Sequence, residues 1–255
     1  RVINMQPKIS VVMAAFNEEL NIHNAILSIQ NQTFKDWELV IIDDGSSDNT
    51  LTIIRKLANH DERILSLHNN SNLGLARSLN KGIEASKGQY IARMDADDFS
   101  LPNRLELQFN FMEKNLDISV LGSGAIYFDN HGNRVKSVVF PENHSDIVRC
   151  LMRSSPLLHP SILMRKSFIK KLGGYDESYY RGQDYDLWFR GKAIGKYHNL
   201  QESLINYIDK EKFSFQSVWD SYRIRIKHAN NWRELIILLF WLMVGVIKRI
   251  IRFLK

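Results

Sequence analysis

The stretch KISVVMAAFNEE (residues 8–19) joins a short apolar run, rich in β-branched residues, to an abrupt polar end. A run of this length that stops at polar residues 17–19 is typical of a buried β-strand followed by a turn. Apolar residues at helical spacing follow over residues 22–29. The beginning of the chain therefore predicts a strand over residues 8–15, a loop and a helix, in that order.

The same order recurs through the first hundred residues. The further predicted strands cover WELVII (residues 37–42), residues 63–67 and QYIARM (residues 89–94), and the helices between them cover residues 51–57 and 73–86. Alternating strands and helices predict a mostly parallel sheet with helices on both faces. We therefore expect an α/β fold with a Rossmann-like sheet.

Beyond residue 100 the pattern is less regular. The predicted elements there are a helix over residues 105–112, strands over residues 118–128, 135–140 and 161–164, and a helix that begins near residue 183. We predict that residues 1–100 form one subdomain, that residues 101–215 form a second one sharing its core, and that residues 216–255 form a tail.

Composition limits the class of protein. The chain has 255 residues, of which 44% are apolar and 24% charged, as in a globular protein rather than a disordered, collagen-like or repeat protein. The one cysteine, Cys150, excludes a disulfide framework and a cysteine-cluster metal site. Residues 1–7 contain no apolar run that would act as a secretory signal, so we expect a reducing, cytoplasmic location.

The net charge of +6 is concentrated at the carboxyl end. Residues 221–255 contain eight basic residues and one acidic residue, a net charge of +7, whereas the first 220 residues are close to neutral. A nucleic-acid-binding protein would carry positive charge on its folded body. We therefore expect no nucleic-acid partner.

Polar side chains follow at least three of the predicted strands. These clusters are Asn17 and Glu18, then Asp43 and Asp44, then Asp95, Asp97 and Asp98. Open α/β sheets bind ligands at the carboxyl ends of their strands. The clusters therefore predict one binding site at this edge.

Asp95 and Asp97 are two residues apart at the end of a predicted strand, so their side chains point to the same side. Mg²⁺ and Mn²⁺ bind such a sparse set of carboxylates together with substrate phosphates and water. The alternative is an acidic turn in solvent, with Asp98 capping the next helix. For Asp43 and Asp44, the alternatives are a nucleobase or ribose contact and an ordinary turn with helix caps.

Longer blocks of the sequence resemble a known enzyme family. The blocks are AAFNEE (residues 14–19), VIIDDGSSDNT (40–50), NLGLARSLNKGIEASKGQYIARMDADD (72–98), LHPSILMRK (158–166) and GGYDESYYRGQDYDLWFR (173–190). In order and spacing they resemble the blocks of family 2 inverting glycosyltransferases with the GT-A fold, over roughly residues 8–210. The resemblance implies a nucleoside diphosphate sugar as donor, in particular a UDP-sugar, and Mn²⁺ or Mg²⁺ as cofactor.

The resemblance also implies roles for individual residues. They are Phe16, Asp43 and Asp44 at the nucleobase and ribose, Glu18 at the nucleotide, Arg77 near the diphosphate, Asp95 near the ribose or metal, and Asp97 on the metal. Many relatives have Pro and Tyr where this chain has Ala14 and Phe16, so Phe16 can stack on a base but offers it no hydroxyl. His159 is expected as a further metal or diphosphate ligand, although a lone histidine beside a proline also suits a structural role.

Asp184 is the catalytic base that the resemblance implies. It matches the second acid of the family's Glu-Asp pair, and the uncharged Gln183 stands in the first position, where it can orient a sugar hydroxyl. The alternative role for Asp184 is capping the helix that begins there. Trp188 is expected either to stack on acceptor sugar rings, together with Tyr179 and Tyr180, or to belong to the core.

Together these parts imply one reaction. A divalent cation neutralises the leaving diphosphate, and Asp184 takes the proton from an acceptor hydroxyl that attacks the anomeric carbon from the opposite face. A single displacement of this kind inverts the anomeric configuration. We predict a hexosyl- or N-acetylhexosaminyltransferase acting on a saccharide acceptor in bacterial-type surface polysaccharide, O-antigen or oligosaccharide synthesis. The alternatives are a nucleotidyltransferase of GT-A-like fold and a non-catalytic, membrane-associated sugar-binding protein.

The tail contains LIILLFWLMVGVI (residues 235–247), which carries no charge and would span about 20 Å as a helix, less than the roughly 30 Å of a bilayer core. Residues 248–255 then separate into an apolar and a basic side at helical spacing. This pattern predicts an amphipathic helix on the inner face of the cell membrane, near an acceptor linked to polyprenyl diphosphate. The alternative is a helix that packs on the catalytic body or on a second subunit.

Overall fold

The computed structural model describes residues 6–209 and 215–229 together with residue 236, and it describes residues 215–218 by their backbone only. Apart from residue 236, the amphipathic helix predicted over residues 235–255 lies outside the described residues. Within the described part of the chain, no helix has the length and apolar character needed to cross a membrane.

Strands and helices alternate through the first part of the chain. They are β1 (Ile9–Ala15), α1 (Ile22–Gln30), β2 (Trp37–Asp43), α2 (Thr50–Ala58), β3 (Ile64–His68), α3 (Leu75–Ala85) and β4 (Tyr90–Arg93). The strands run parallel in the order β3-β2-β1-β4. This arrangement confirms the predicted parallel sheet. Short β-branched runs between helices form such strands because they are stable when they are buried on both faces.

After β4 the sheet continues with a mixture of antiparallel and parallel strand pairs. The further elements are β5 (Phe99–Ser100), α4 (Arg104–Lys114), β6 (Ile118–Phe128), β7 (Arg134–Val138), α5 (His144–Cys150), a 3₁₀ turn (His159–Ser161), β8 (Leu163–Arg165), α6 (Lys166–Lys171), α7 (Gln183–Gly191), β9 (Lys196–Ile208) and α8 (Phe215–Lys227). β8 pairs antiparallel with β4 and β6, and β6 runs parallel to β9. The sheet therefore crosses the predicted boundary at residue 100, and separate roles for the two subdomains stay a prediction.

Helices cover both faces of the sheet. Val12 of β1 and Val40 of β2 lie in one buried cluster with Leu79 of α3, whereas Val11 and Leu39 lie in a second cluster on the opposite face. Side chains of α1, α2 and α4 complete the second cluster, and side chains of α7 join the first. Neighbouring residues of a strand point to opposite faces, so an apolar strand supplies both clusters.

The parallel register brings the carboxyl ends of β1, β2 and β4 to one edge. Ala15, the last residue of β1, lies opposite Asp43, the last residue of β2. Arg93, the last residue of β4, lies opposite Val12. The acidic residues that follow β4 therefore emerge beside the loops that follow β1 and β2.

Candidate active site

Three aspartates that follow β4 place their carboxylates together. Carboxylate oxygens of Asp95, Asp97 and Asp98 all lie within 4.8 Å of one another. Asp98 is buried: its Oδ1 accepts a hydrogen bond from the N–H of Ile208 at 3.0 Å, and its Oδ2 has no partner among the described residues. Burial, and then the charges of Asp95 and Asp97, raise the pKa of Asp98 well above its usual value.

This cluster fits a divalent cation. Carboxylate oxygens suit Mg²⁺ and Mn²⁺, and a cation would both relieve the repulsion among the carboxylates and engage the unpartnered atom of the buried aspartate. The alternative of a solvated turn with Asp98 as a helix cap does not match the structure. Asp98 is buried against β9, and the N-cap of α4 is Asn103.

Arg93 lies within the same site. Only 3% of its side chain is exposed, and its Nη2 forms an ion pair with Asp95, while its Nε and Nη1 find no hydrogen-bond partner in the described part of the chain. Burial is the main cause of the shifts in three nearby groups: it lowers the pKa of His159 and raises the pKa values of Tyr175 and Asp184. The charge of Arg93 adds to the first shift and opposes the other two, so all three groups lie within electrostatic range of Arg93. Sequence reasoning missed Arg93, although a basic residue inside an apolar strand, directly before an acidic motif, was an available signal.

Asp44, directly after β2, is held by protein groups. Its Oδ1 accepts hydrogen bonds from Asn69 Nδ2 at 2.8 Å and from the N–H of Leu73 at 2.9 Å, and its Oδ2 accepts one from the N–H of Gly74 at 2.9 Å. These bonds connect β2 to the loop that precedes α3. Asp44 therefore shapes this loop, and a direct contact with a nucleotide stays a prediction.

Asp43, at the end of β2, is completely buried. Its Oδ2 lies 3.0 Å from Nδ1 of His68 and accepts a hydrogen bond from the N–H of Ser46 at 3.2 Å. Its Oδ1 has no hydrogen-bond partner within the residues that the structure describes. These are the contacts of an ordered turn, and a ribose or nucleobase contact by Asp43 stays a prediction.

Three other residues predicted to bind the nucleotide follow β1 or begin α3. Phe16, directly after β1, has 44% of its surface exposed, so its ring is available for stacking. Glu18 accepts a hydrogen bond from Asn21 Nδ2 at 2.8 Å in the turn before α1. Arg77 is exposed in the first turn of α3, where its Nε donates to Glu177 at 3.1 Å. Their nucleotide contacts stay predictions.

Asp184 lies in the first turn of α7, and the N-cap of that helix is Gly182, with a φ of 80°. The alternative role of Asp184 as the cap is therefore not what the structure shows. Burial raises the pKa of Asp184 against the opposing effects of the Tyr185 N–H and of Arg93, and the charge of Asp95 raises it further. Asp184 thus belongs to the same electrostatic site as the acidic cluster.

His159 contacts a tyrosine rather than the carboxylate cluster. Its Nε2 lies 2.7 Å from the hydroxyl of Tyr175, and both side chains are buried. Burial, followed by the charge of Arg93, lowers the pKa of His159 well below its usual value, so the ring is neutral at physiological pH. Metal ligation by His159 stays a prediction, and Tyr175 is a site residue that sequence reasoning did not find.

Trp188 does not form an acceptor surface. Its side chain is 0% exposed, and its ring contacts those of His159 and Tyr197 at centroid distances of 6.2 Å each. The stacking prediction is therefore wrong and the core alternative is right, because α7 turns this residue toward the sheet. Gln183 is also buried, in the first turn of α7, and its contact with an acceptor stays a prediction.

Two tyrosines that were not predicted lie beside the acidic cluster. Tyr127 of β6 pairs with Tyr207 of β9, and their ring centroids are 4.9 Å apart. Tyr207 directly precedes Ile208, the residue whose N–H binds Asp98. Burial, and then the charges of Asp95 and Asp98, raise the pKa of Tyr207. Because the sequence pattern did not predict β9, it offered no signal for this pair.

Comparison with known proteins identifies the family. The model for Glycosyl transferase family 2 matches residues 10–173. This chain belongs to glycosyltransferase family 2. An uncharacterised glycosyltransferase of Methanocaldococcus jannaschii is 38% identical over 227 residues, which cover 87% of this chain and 75% of that protein. The O-antigen biosynthesis glycosyltransferase WbnJ of Escherichia coli is 34% identical over 215 residues, which cover 81% of this chain and 80% of WbnJ.

Solved structures agree on the fold. Residues 1–349 of S. aureus TarS, in complex with UDP-GlcNAc, match 92% of this chain and 71% of that chain with a TM-score of 0.71 and 20% identity. The mannosyltransferase PcManGT of Pyrobaculum calidifontis, in complex with GDP-Man and Mn²⁺, matches 93% of this chain and 69% of that chain with a TM-score of 0.65 and 15% identity. The predicted GT-A fold is confirmed. The protein is a glycosyltransferase, and neither a nucleotidyltransferase nor a non-catalytic binding protein is supported.

Proposed function

We propose that the protein transfers a sugar from a nucleoside diphosphate sugar to a hydroxyl group of a saccharide acceptor, with inversion of the anomeric configuration. The observation that carries this proposal is the placement of Asp184. This carboxylate has a raised pKa and shares one electrostatic site with Arg93 and Asp95, and Asp95 clusters with two further carboxylates, those of Asp97 and Asp98. One base next to a site for a cation-bound leaving group is what a single displacement requires.

Asp97, together with Asp95 and Asp98, would hold Mn²⁺ or Mg²⁺. When bound, the cation supplies Lewis-acid stabilisation of the leaving diphosphate. Arg93 orients Asp95 through their ion pair and adds a positive charge that moderates the repulsion among the carboxylates. The Mn²⁺ in the PcManGT complex supports the choice of cation.

Asp184 would take the proton from the acceptor hydroxyl. Its raised pKa makes it a stronger base than an exposed aspartate, while Arg93 and the Tyr185 N–H favour its ionised form. The carboxylate is attached to the first turn of α7 rather than to a long loop. Its position is therefore defined before the substrates bind, which lowers the entropic part of the barrier.

We propose a UDP-sugar as the donor. Phe16 exposes an aromatic face after β1, and Arg77 places a cation at the start of α3, at the same edge of the sheet. The TarS complex with UDP-GlcNAc supports a uridine donor, and the PcManGT complex with GDP-Man is the reason to test guanosine donors in parallel.

The pair of Tyr127 and Tyr207 replaces Trp188 as the proposed stacking surface for the acceptor, because aromatic faces suit the apolar faces of sugar rings. Tyr207→Ala should raise the KM for the acceptor and leave hydrolysis of the donor unchanged. An unchanged KM for the acceptor would show that Tyr127 and Tyr207 do not bind it.

The proposed biological role is synthesis of a surface polysaccharide or oligosaccharide at the inner face of the membrane. The name of WbnJ supports the pathway class, and the five basic residues within residues 230–255 support contact with anionic lipids and a polyprenyl-diphosphate-linked acceptor. Flotation of the full chain with vesicles containing phosphatidylglycerol tests this location. A chain that stays at the bottom of the gradient would contradict it.

The reaction is tested by incubating the purified chain with UDP-GlcNAc, UDP-glucose, UDP-galactose and GDP-mannose, with and without Mn²⁺. Release of nucleoside diphosphate supports sugar transfer, whereas release of pyrophosphate would contradict it. Asp184→Asn should lower the rate roughly 10²- to 10⁴-fold with UDP binding nearly intact, and Asp97→Asn should abolish the effect of Mn²⁺.

The matched control is Asp117→Asn, which removes a surface carboxylate that pairs with Lys196 at 3.0 Å. A normal rate in Asp184→Asn would show that another group is the base.

A further inference from the structure

α8, which the sequence pattern assigned to the tail, packs against the helix that carries Asp184. Ile224 of α8 is completely buried. A Cβ atom added to Gly182, the N-cap of α7, would lie 2.9 Å from Cδ1 of Ile224. The N-terminus of α7 is therefore in close contact with α8 two residues before the proposed base.

Asp186, two residues after Asp184, is the centre of the contact between α7 and α8. It is completely buried, its Oδ2 accepts a hydrogen bond from Arg190 Nε at 2.5 Å, and its Oδ1 lies 3.0 Å from His228 Nε2 and 3.3 Å from Lys227 Nζ. Although burial opposes it, the hydrogen bonds from His228 and Arg190 lower the pKa of Asp186 to about 2. Asp186 is therefore an anion that binds one cation from its own helix and one from α8, together with a histidine of the α8 end.

Further contacts extend along both helices. Arg225 Nε donates a hydrogen bond to the hydroxyl of Tyr185 at 3.0 Å. The ring of His228 stacks on that of Phe189 with 5.0 Å between the centroids and 2° between the planes. Together with the approach of Ile224 to Gly182, these contacts place α8 against residues on both sides of Asp184, and they do not depend on one hydrogen bond.

Arg190 connects the same charge network to the other side of the site. Its Nη1 and Nη2 donate hydrogen bonds to the carbonyls of Leu172 and Gly174, each at 2.8 Å. Gly174 directly precedes Tyr175, the partner of His159. The carboxylate of Asp186 thus orients the guanidinium of Arg190, which in turn binds the backbone beside the buried pair of Tyr175 and His159.

We propose that Asp186 is a positioning residue for sugar transfer and that α8, through Lys227 and His228, sets the placement of Asp184. This inference rests on the function proposed above, in which Asp184 is the base. Asp184 and Asp186 belong to one helical turn, so a displacement of that turn moves both. A misplacement of about 1 Å can lower a rate roughly 100-fold, which is why a contact remote from the reacting atoms can control it.

The test uses the full chain with Lys227→Met, His228→Gln and Asp186→Asn, and it follows release of nucleoside diphosphate with water as the acceptor. The donors are UDP-GlcNAc, UDP-glucose, UDP-galactose and GDP-mannose, each with Mn²⁺. We expect kcat to fall roughly 10- to 100-fold with the donor KM unchanged, and Lys227→Arg to restore most of the rate. The double variant of Asp186→Asn and Lys227→Met should lose little more than Asp186→Asn alone, since each substitution breaks the same ion pair between Lys227 and Asp186.

The matched control is Arg223→Met, which removes an exposed cation from the same helix, 3.9 Å from Asp220. Hydrogen–deuterium exchange of residues 183–191 provides a readout without turnover, and exchange should be faster in Lys227→Met and His228→Gln than in Arg223→Met. Unchanged kcat and unchanged exchange in these two variants would overturn the proposal, as would a lower melting temperature with a normal kcat.

Asp184→Asn in the same assay separates the role of Asp184 as the base from the positioning role of Asp186 and α8. If Asp184→Asn lowers the rate while Lys227→Met and His228→Gln do not, only the positioning role is wrong. If Asp184→Asn turns over donor normally, the assignment of the base is wrong, and the positioning role is overturned with it.

Discussion

Arg93 and Asp95 form an ion pair at the acidic edge of the sheet, although the Arg93 side chain is almost completely buried. Both residues also act on Asp184: burial raises its pKa most, the charge of Arg93 partly offsets this rise, and the charge of Asp95 adds to it. One buried cation and two carboxylates from separate elements therefore share a small region. The ionisation of the proposed base depends on this grouping rather than on its own helix alone.

The rate of transfer should fall at low pH as Asp184 takes up a proton. Because burial raises this pKa, the acidic limb of kcat/KM should lie above the ordinary aspartate value of about 3.9. Arg93→Met removes a charge that opposes the rise in the pKa of Asp184, so the acidic limb of the pH–rate profile of this variant should move to higher pH. The measurement is a pH–rate profile, and Arg93→Lys, which retains the charge, is the control. A limb that stays in place in Arg93→Met would contradict the coupling.

Asp184→Asn should stabilise the protein at neutral pH. The pKa of Asp184 is raised in the folded state, so its ionisation favours unfolding once the pH exceeds the unfolded value of about 3.9. Asn cannot ionise, and the melting temperature of the variant should therefore exceed that of the parent near neutral pH and match it at about pH 3. Calorimetry at both pH values checks this. An equal increase at both would indicate a packing effect instead.

Ionisation of Asp186, unlike that of Asp184, should stabilise the folded protein. Its pKa of about 2 means that its contacts contribute stability above the unfolded value of about 3.9, which is lost as the pH falls toward 2. Asp186→Asn should lower the free energy of unfolding by on the order of 2 kcal/mol near neutral pH and by less at about pH 3, as measured by urea unfolding.

The control for that measurement is Asp146→Asn, which breaks an exposed pair with Arg149 at 2.9 Å. A surface pair of this kind contributes less than about 1 kcal/mol. A similar loss in both variants would mean that the buried contacts of Asp186 are no stronger than a surface ion pair.

Gly45→Ala should destabilise the loop after β2. Gly45 has a φ of 74°, and a Cβ atom there would lie 2.5 Å from the carbonyl carbon of Ser71. Because backbone atoms cannot move aside as a side chain can, we expect a loss of roughly 1–3 kcal/mol and weaker UDP binding. Gly132→Ala is the control, since its φ is 79° but a Cβ atom there would have no heavy atom within 4 Å. Equal losses of stability in the two variants would show that the positive φ angle, and not the close approach of the Ser71 backbone, causes the destabilisation.

The parallel half of the sheet could be predicted closely from apolar spacing. β1 and β2 begin and end within a residue of their predicted bounds, because a short β-branched run between helices has few other ways to be buried. β9 was not predicted, since Lys196–Ile208 mixes polar and apolar residues without regular alternation. Its conformation depends on pairing with β6, which lies far away in the sequence.

For α7, which carries the proposed base, the sequence likewise did not predict which side chains would be buried. The sequence indicated that Asp184 and Trp188 lie near the start of one helix, but not which side of that helix faces the site. In the structure Trp188 is completely buried, and Asp186 rather than Asp184 binds α8. Burial of a helix face is set by the neighbouring elements, and those come from remote parts of the chain.

By itself, the sequence determined the α/β order, the edge at which the acidic clusters meet and the family, because these depend on local patterns and ordered motifs. Only the tertiary structure decided that Arg93 joins Asp95 and Asp184, that His159 contacts Tyr175, and that α8 packs on α7. The physical reason is that electrostatic and packing energies depend on distance in space. Distances between residues that are far apart in sequence exist only after the chain has folded.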